Sequence, residues 1–238
     1  MQLKCFLVAF DFDYTVIEDN SDTVVRSLLT EIPQSIEDQR ETRGWTFYMN
    51  EIFRLLHENK IAESDIIKAV VSIPPTPNTI EMLNTLKEMD CEVIIISDAN
   101  TVFIDEWLKA HGVSSCVHKI FSNPGKFEEG RLTIKGYQEQ DWCRLSARNM
   151  CKGYILLEYA MEREKAGTVF RYLAYCGDGR NDFCPVLRLR KDDFVFPRRN
   201  FTLDKLLKKS DKVKCNIIPW SDTNIIIESL QKLCLKKK

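Results

Sequence analysis

The stretch FLVAFDFDYTVIEDNSD, residues 6–22, decides how the rest of this chain is interpreted. Its apolar run ends in two carboxylates, Asp11 and Asp13, which are two residues apart. Burying a carboxylate away from water is costly, and two neighbouring carboxylates also repel each other. A pair of this kind at the end of a core strand therefore predicts positive charge nearby.

Length, charge and cysteine content exclude several classes of protein. The chain has 238 residues, enough for one large domain or for a core with a smaller domain inserted. A formal net charge of −1 and the lack of a basic, aromatic-rich stripe argue against nucleic acid as a partner. We see neither a signal peptide nor a transmembrane window, and nine cysteines, an odd number, are typical of reduced thiols. We therefore expect a cytoplasmic protein with no membrane partner, and we predict no particular oligomeric state.

Short apolar runs alternate with helix-like segments along most of the chain. The predicted strands are residues 4–10, 91–97, 171–177, 192–197 and 214–219. Several are apolar at nearly every position, as in strands that are covered on both faces. The predicted helices between them are residues 79–90, 101–112, 153–167 and 224–236. This alternation predicts the α/β class, with a Rossmannoid, doubly wound and mainly parallel sheet.

Residues 20–73 interrupt the alternation, because they contain helix-like segments and no strand-like run. These segments are residues 21–32, 35–60 and 62–73. The prolines that follow stop the helical pattern. We predict an all-helical cap at 19–77, inserted into a catalytic core formed by 1–18 and 78–238. A second departure, at 119–136, predicts a hairpin or an irregular excursion.

Polar side chains follow three of the predicted strands, at the point where each strand ends. They are Asp11 and Asp13, then Ser97 and Asp98, and finally Asp178 and Asp182. Functional groups of open α/β sheets gather beyond the carboxyl ends of the strands, so these side chains should converge. Hard oxygen ligands without a histidine pattern favour Mg²⁺ over zinc, and Mg²⁺ in proteins usually shares its ligand shell with phosphate. The cluster thus predicts a phosphorylated substrate, and Lys152 is the candidate for the balancing positive charge.

Each motif also has a simpler explanation. A lone Asp-x-Asp is common in solvated loops and at helix N-termini. GDGRND, residues 177–182, could by itself be a turn or a calcium loop. The occurrence of all three motifs in order at three strand ends favours the catalytic interpretation.

Together these motifs resemble those of haloacid dehalogenase-superfamily phosphatases. The matching segments are DFDYT (11–15), IIISD (94–98), the downstream Lys152 and GDGRND (177–182). Further segments resemble the PHOSPHO-type family in particular: DNSD (19–22), SNPG (122–125), NMCKG (149–153) and FPRRNF (196–201). The resemblance covers nearly the whole chain. It implies a phosphatase acting on phosphocholine, phosphoethanolamine or pyridoxal 5′-phosphate.

The resemblance also implies a role for each matching residue. Asp11 would be the nucleophile that forms an aspartyl-phosphate, and Asp13 the general acid and base. The Mg²⁺ ligands would be the Asp11 carboxylate, the Asp13 backbone carbonyl, Asp178, and Asp182 directly or through water. The phosphate-binding groups would be Thr15, Ser97, Lys152 and Gly179. The candidate substrate contacts are Asp22, Asp98, Asn100 and Asn181.

Other interpretations of these residues stay open. A phosphomutase or phosphotransferase would use the same nucleophile, and a non-catalytic phosphometabolite-binding protein fits poorly because no motif acid is missing. A dehalogenase would need neither Asp13 nor Mg²⁺. Asp22 could equally cap a helix, and cap aromatic residues such as Trp45 are more often core than a substrate pocket.

One segment departs from the family pattern, which reads roughly HSCxxCPxNxCK before the motif lysine. This chain has DWCRLSARNMCK, with Asp141, Ser146 and Ala147 in place of the His, one Cys and the Pro. Only Cys143 and Cys151 remain. Because a soft tetrahedral site needs about four ligands, we do not expect a structural zinc ion in this segment.

Overall fold

Two β-sheets make up the strand content of the computed structural model, which describes residues 2–235. The strands are β1 (Gln2–Phe10), β2 (Glu92–Asn100), β3 (Lys119–Asn123), β4 (Gly125–Glu128), β5 (Arg131–Ile134), β6 (Thr168–Gly177), β7 (Phe194–Pro197) and β8 (Asn216–Ile217). Six of them form one sheet in the order β3-β2-β1-β6-β7-β8, in which every neighbouring pair is parallel. Strands β4 and β5 form a separate antiparallel hairpin.

The apolar run of the central strand β1 is continuous because side chains on both of its faces are buried. Alternate residues of a strand point to opposite faces of the sheet. Phe6, Val8 and Phe10 pack into one hydrophobic cluster, whereas Leu7 and Ala9 pack into another on the opposite face. Both faces of β1 are therefore covered, as the sequence predicts.

Helices cover the two faces of the large sheet. They are α1 (Ser21–Arg26), α2 (Gln34–Glu37), α3 (Gln39–Arg43), α4 (Trp45–Glu58), α5 (Glu63–Val71), α6 (Thr79–Glu88), α7 (Thr101–Ala110), α8 (Lys152–Lys165), α9 (Phe183–Val186), α10 (Thr202–Leu207) and α11 (Asn224–Leu235). Helices α6, α7 and α11 contribute to the cluster that contains Phe10, and α8, α9 and α10 to the one that contains Leu7. In the described part of the chain, no helix is long and apolar enough to cross a membrane.

The structure differs from the predicted elements in three places. The hairpin predicted within 119–136 is confirmed by β4 and β5, but the same stretch also holds β3, a full member of the large sheet that was not predicted. The strand predicted at 214–219 is reduced to the two residues of β8. The long helix predicted at 35–60 is three helices, and α4 begins only after Gly44, whose φ of 85° lies outside the helical region.

The backbone segments that lead into and out of the helical segment α1–α5 lie side by side and are joined by hydrogen bonds. The Glu18 amide donates to the Pro74 carbonyl at 2.9 Å, and the Thr76 amide donates to the Val16 carbonyl at 3.0 Å. The segment packs against α7, for example through the edge-to-face rings of Phe53 and Phe103, whose centroids are 6.0 Å apart. Helices α1, α2, α4 and α5 thus share a hydrophobic cluster with the rest of the fold, and the division into a cap at 19–77 and a core stays a prediction.

Candidate active site

The register of the central strands brings the predicted polar residues to one edge of the sheet. Phe10 pairs with Ile95 of β2 and with Cys176 of β6. Asp11 therefore leaves β1 at the edge where Asp178 leaves β6, and Ser97 of β2 lies at the same level. Topology alone accounts for this convergence, because all three strands are parallel.

A buried lysine lies between two buried aspartates at this edge. The Nζ atom of Lys152, the first residue of α8, is 2.6 Å from Asp11 Oδ2 and 2.8 Å from Asp182 Oδ1. The other oxygen of Asp11 accepts a hydrogen bond from the Phe12 amide at 2.7 Å. The three charged side chains are at most 8 % exposed, so their interactions are weakly screened by water.

Burial shifts the proton affinities of this cluster. It raises the pKa of Asp11 to about 7, an effect that Asp182 reinforces and Lys152 opposes. Burial, together with Asp182 and Asp11, raises the pKa of Asp178 to about 8. Burial alone would lower the pKa of Lys152, but the neighbouring carboxylates outweigh it and raise that pKa. When Asp11, Asp178 and Asp182 are ionised, their combined negative charge therefore exceeds the single positive charge of Lys152.

The three acids have the donor chemistry of a hard-metal site. Carboxylate oxygens of Asp11, Asp178 and Asp182 all lie within 4.8 Å of one another. A divalent cation among them would favour the ionised carboxylates and so oppose the pKa shifts caused by burial. The residues present thus fit Mg²⁺, which prefers oxygen ligands.

Asp182 organises the loop after β6. It is fully buried, and its Oδ1 accepts from the Tyr175 hydroxyl at 2.6 Å in addition to Lys152. Its Oδ2 accepts from the backbone amides of Asp178 and Gly179 at 3.0 and 2.9 Å. Sequence analysis missed Tyr175, and a phenol at the carboxyl end of a buried strand is the signal that could have identified it.

Two glycines allow this loop its tight path. A Cβ atom on Gly177 would lie 2.5 Å from Asp182 Oδ2, and one on Gly179 would lie 2.5 Å from Asn181 Oδ1. Neither position can take a side chain without displacing the loop. The Asp182 carboxylate can approach the backbone at residue 177, and the Asn181 side chain can approach it at residue 179, only because both residues are glycines.

Asp13 is held by the first residues of the helical segment. Its Oδ1 accepts from the Ser21 amide at 2.8 Å and its Oδ2 from the Asn20 side-chain amide at 3.1 Å. Burial raises the pKa of Asp13 well above its usual range, and Asp22 adds to this effect. The carboxyl group is therefore suited to carrying a proton near neutral pH.

The two candidate phosphate-binding hydroxyls, Thr15 and Ser97, are both 1 % exposed. Thr15 Oγ1 lies 3.5 Å from Asp178 Oδ1. Between Asp13 and Thr15, Tyr14 adopts a φ of 55°, in the left-handed region that bulky residues rarely occupy. Arg198 stabilises this turn, because its guanidinium donates to the Tyr14 carbonyl at 2.7 Å.

Asp22 is a second buried acid, at the start of the helical segment. Its Oδ2 accepts from the Trp45 indole N–H at 2.6 Å, whereas its Oδ1 has no hydrogen-bond partner among residues 2–235. Burial raises the pKa of Asp22 to about 6, with the Trp45 hydrogen bond opposing and Asp98 adding to the shift. Asn20, not Asp22, caps α1 by accepting from the Thr23 amide at 2.8 Å, so the helix-cap explanation of Asp22 is wrong.

The remaining candidate substrate residues have two different environments. The side-chain amide of Asn181 donates to Asp98 Oδ2 at 2.9 Å, and that of Asn149 lies 3.4 Å from Asp98 Oδ1. Asn100 is fully buried, and its side chain caps α7 by accepting from the Phe103 amide at 3.1 Å. The cap uses only the side-chain oxygen, and Asn100 Nδ2 has no hydrogen-bond partner among residues 2–235, so its contact with a substrate stays a prediction.

The whole chain is similar to known phosphatases. The model of the family described as "Putative Phosphatase" matches residues 6–234. The chain belongs to this family. It is 35% identical over 238 residues to the "Pyridoxal phosphate phosphatase PHOSPHO2" of Bos taurus, covering 95% of this chain and 98% of that protein. It is 34% identical over 242 residues to the human "Phosphoethanolamine/phosphocholine phosphatase", covering 96% and 90% respectively.

Solved structures support the same assignment at the level of the fold. The structure titled "Phospho-Aspartyl Intermediate Analogue of Phosphoserine phosphatase" matches with a TM-score of 0.62 and 20% identity, over 95% of this chain and 99% of that one. The predicted doubly wound α/β class and the resemblance to PHOSPHO-type phosphatases are thereby confirmed. The chain is a phosphatase of the Putative Phosphatase family.

Proposed function

We propose that this phosphatase is a Mg²⁺-dependent phosphomonoesterase that hydrolyses a small phosphorylated metabolite through an aspartyl-phosphate intermediate. The observation that carries the proposal is the buried ion pair between Lys152 and Asp11, at 2.6 Å, in a cluster that retains two further acids. Lys152 opposes the rise in the pKa of Asp11 that burial causes, and the ionised form of this carboxylate is a suitable nucleophile.

Asp11 attacks the phosphorus atom of the substrate with a carboxylate oxygen. A P–O bond forms to Asp11 as the bond to the leaving alcohol breaks. Lys152 favours the ionised form of the carboxylate, and the Phe12 amide fixes its orientation through the 2.7 Å hydrogen bond. A water molecule then attacks the same phosphorus and releases inorganic phosphate, so that one difficult hydrolysis becomes two easier steps.

Asp13 transfers the protons of both steps. Its raised pKa supplies a carboxylic acid that protonates the leaving alkoxide. The resulting carboxylate accepts a proton from the attacking water and is thereby restored to the acid form. The Ser21 and Asn20 donors hold its two oxygens in a fixed orientation during this exchange.

The acids Asp11 and Asp178, with the backbone carbonyl of Asp13, would hold Mg²⁺, which neutralises charge on the phosphoryl oxygens when bound. Asp182 already accepts four hydrogen bonds, so we assign it the orientation of the loop and a metal contact through water. The groups that would bind the phosphoryl oxygens are the Thr15 and Ser97 hydroxyls and the Lys152 ammonium, and we assign Gly179 the close approach of the loop to the phosphate because its amide already donates to Asp182.

The substrate class follows from the acids outside this cluster. Asp22 Oδ1 is buried and unpaired among the described residues, and Asp98 is close enough to raise the pKa of Asp22. A cationic nitrogen on the substrate would satisfy both carboxylates. Phosphoethanolamine, phosphocholine and the protonated pyridine of pyridoxal 5′-phosphate carry such a group, and the two sequence relatives are named after these compounds.

A cavity of about 660 Å³ lies next to this region. It lies between the start of α4, at Trp45, and the segment 136–149, and is lined on that side by Asn149. Trp45 contacts Asp22, and Asn149 faces Asp98. We therefore place the cationic end of the substrate between these two pairs.

The deciding experiment measures inorganic phosphate release from a panel of small phosphomonoesters with Mg²⁺ present. We expect turnover of the amine-bearing members, at least about a thousandfold loss in Asp11→Asn, and wild-type turnover in the control Glu31→Gln, an exposed acid of the helical segment. Turnover in Asp11→Asn, or activity that survives exhaustive chelation, would contradict the proposal. Isomerisation of a sugar phosphate without phosphate release would favour a phosphomutase.

A further inference from the structure

Three buried cysteines meet beside the active site, although only two of them are close in sequence. Cys143 Sγ and Cys151 Sγ lie 3.4 and 3.7 Å from Cys184 Sγ, and all three sulfurs are within 4.8 Å of one another. None of the three is more than 9 % exposed. The third cysteine, Cys184, comes from helix α9, which directly follows Asp182, and this is why the segment 141–151 by itself seemed to lack a metal site.

The surrounding residues hold the sulfurs in place without a disulfide. Gln140, which is 3 % exposed, accepts from the Cys143 amide at 2.9 Å and donates to the Ala147 carbonyl at 2.8 Å, which closes the loop that carries Cys143. On the opposite side, a Cβ atom on Gly153 would lie 2.8 Å from Cys184 Sγ. The helix α8 therefore leaves room for this sulfur only because residue 153 is a glycine.

The spacing of the sulfurs matches coordination by a tetrahedral metal. Zinc–sulfur bonds of about 2.3 Å put neighbouring sulfurs about 3.8 Å apart, close to the 3.4 and 3.7 Å that separate Cys143 and Cys151 from Cys184. A disulfide would join two of the sulfurs at about 2.05 Å and leave the third unpaired. The hydroxyl of Ser146 lies 3.4 Å from Cys143 Sγ and is an oxygen donor near the three sulfurs.

We propose that Cys143, Cys151 and Cys184 bind one soft divalent metal ion, Zn²⁺ by preference, with the Ser146 hydroxyl or a water molecule as the fourth ligand. Each thiol loses its proton to solvent on coordination. This metal site is separate from the carboxylate cluster and goes beyond the proposed phosphatase chemistry, because three thiolates select a soft ion over Mg²⁺.

The three-cysteine site lies next to the two segments that carry Lys152 and Asp182. Cys151 directly precedes Lys152, and Cys184 follows Asp182 by two residues. The metal ion would join the two segments whose side chains form the 2.8 Å ion pair between Lys152 and Asp182. It therefore positions the buried lysine without contacting the substrate.

Cobalt titration of the full-length protein tests the proposal. The protein is kept reduced with a phosphine, Mg²⁺ is in excess to fill the carboxylate site, and Co²⁺ is added. We expect one equivalent to bind with a near-ultraviolet thiolate-to-cobalt charge-transfer band that Zn²⁺ abolishes. Cys143→Ser and Cys184→Ser should weaken binding at least about tenfold, whereas Cys215→Ser, a similarly buried cysteine in the sheet cluster, should bind as the wild type does.

A spectrum without the thiolate band would overturn the proposal, as would unchanged affinity in the two serine variants. Mass spectrometry of maleimide-labelled wild-type protein keeps the test decisive if those variants fail to fold. Zn²⁺ should protect the three cysteines from labelling relative to the metal-free protein, and equal labelling with and without Zn²⁺ would contradict the site. Neither measurement depends on phosphatase activity.

Discussion

At the scale of single residues, the buried Lys152 partly compensates the negative charge of several buried acids in the candidate active site. Asp11 and Asp182 both depend on Lys152 for a compensating charge. The acids were predictable from the sequence because Asp11 directly follows β1 and Asp182 lies in the short loop after β6. Sequence reasoning could not identify Tyr175 or Cys184, whose roles arise from contacts between segments that are distant along the chain.

We predict that Lys152→Met reduces phosphate release at least about a hundredfold, because the phosphoryl oxygens and Asp11 lose their buried positive partner. The free energy of unfolding at pH 8 should fall by about 3 kcal/mol, since breaking a buried ion pair leaves uncompensated carboxylates. Kinetics and urea denaturation would measure these two effects. Lys165→Met, at the exposed end of the same helix, is the control and should change neither quantity; an active Lys152→Met would refute this role.

A second prediction concerns Asp22. Asp22→Asn should raise KM about tenfold or more for substrates with a cationic nitrogen, because the unpaired carboxylate oxygen that would face that nitrogen loses its charge. The KM for a neutral aryl phosphate should stay within about twofold. Steady-state kinetics with both substrates provides the comparison, and equal increases in KM for both would show that Asp22 acts on folding rather than on recognition.

At the scale of elements, pattern and structure agree where a strand or helix is long and differ where it is short. The continuous apolar run of β1 was predictable because both faces of this strand are buried. The five residues of β3, KIFSN, begin with a charged residue and lead into Pro124-Gly125, so the turn signal obscured the strand. The break before α4 depends on the positive φ of Gly44, which a helical periodicity does not reveal.

Arg198, the first residue after β7, connects this segment to the turn that follows β1. Its guanidinium donates to the Tyr14 carbonyl at 2.7 Å and to Glu18 at 2.6 Å, and so stabilises the turn that carries Asp13. We predict that Arg198→Met lowers kcat on the order of tenfold to a hundredfold with little change in KM, because a small displacement of Asp13 disrupts proton transfer. The exposed neighbour variant Arg199→Met is the matched control. A change in KM alone would argue against this positioning role.

At the scale of the whole molecule, the buried acids link stability to pH. The pKa values of Asp11 and Asp178 are raised, to about 7 and about 8, so the folded protein holds protons that the unfolded chain releases above about pH 4. Their stabilising contribution is complete below that pH and is lost as the pH rises through 7 and 8.

We therefore predict that the metal-free protein is less stable at pH 8 than at pH 5 by about 1 kcal/mol or more. Saturating Mg²⁺ should reduce this difference, because the cation favours the ionised carboxylates. Urea denaturation at the two pH values, with chelator or with Mg²⁺, gives the four required free energies. A difference between pH 5 and pH 8 that Mg²⁺ leaves unaltered would contradict the assignment of these acids to a metal site.

The hydrogen bond between the Glu18 amide and the Pro74 carbonyl has a consequence for modularity. Because the chain leaves and re-enters the sheet at one point, a different insert could be spliced there at little cost in loop-closure entropy. Simple deletion would instead expose the apolar side chains of α7, such as Phe103, to water. A chimaera in which α1–α5 are replaced by the insert of another protein would need an apolar surface that packs against α7. Such a chimaera should keep the catalytic residues at the edge of the sheet and take the substrate selectivity of the protein that donated the insert.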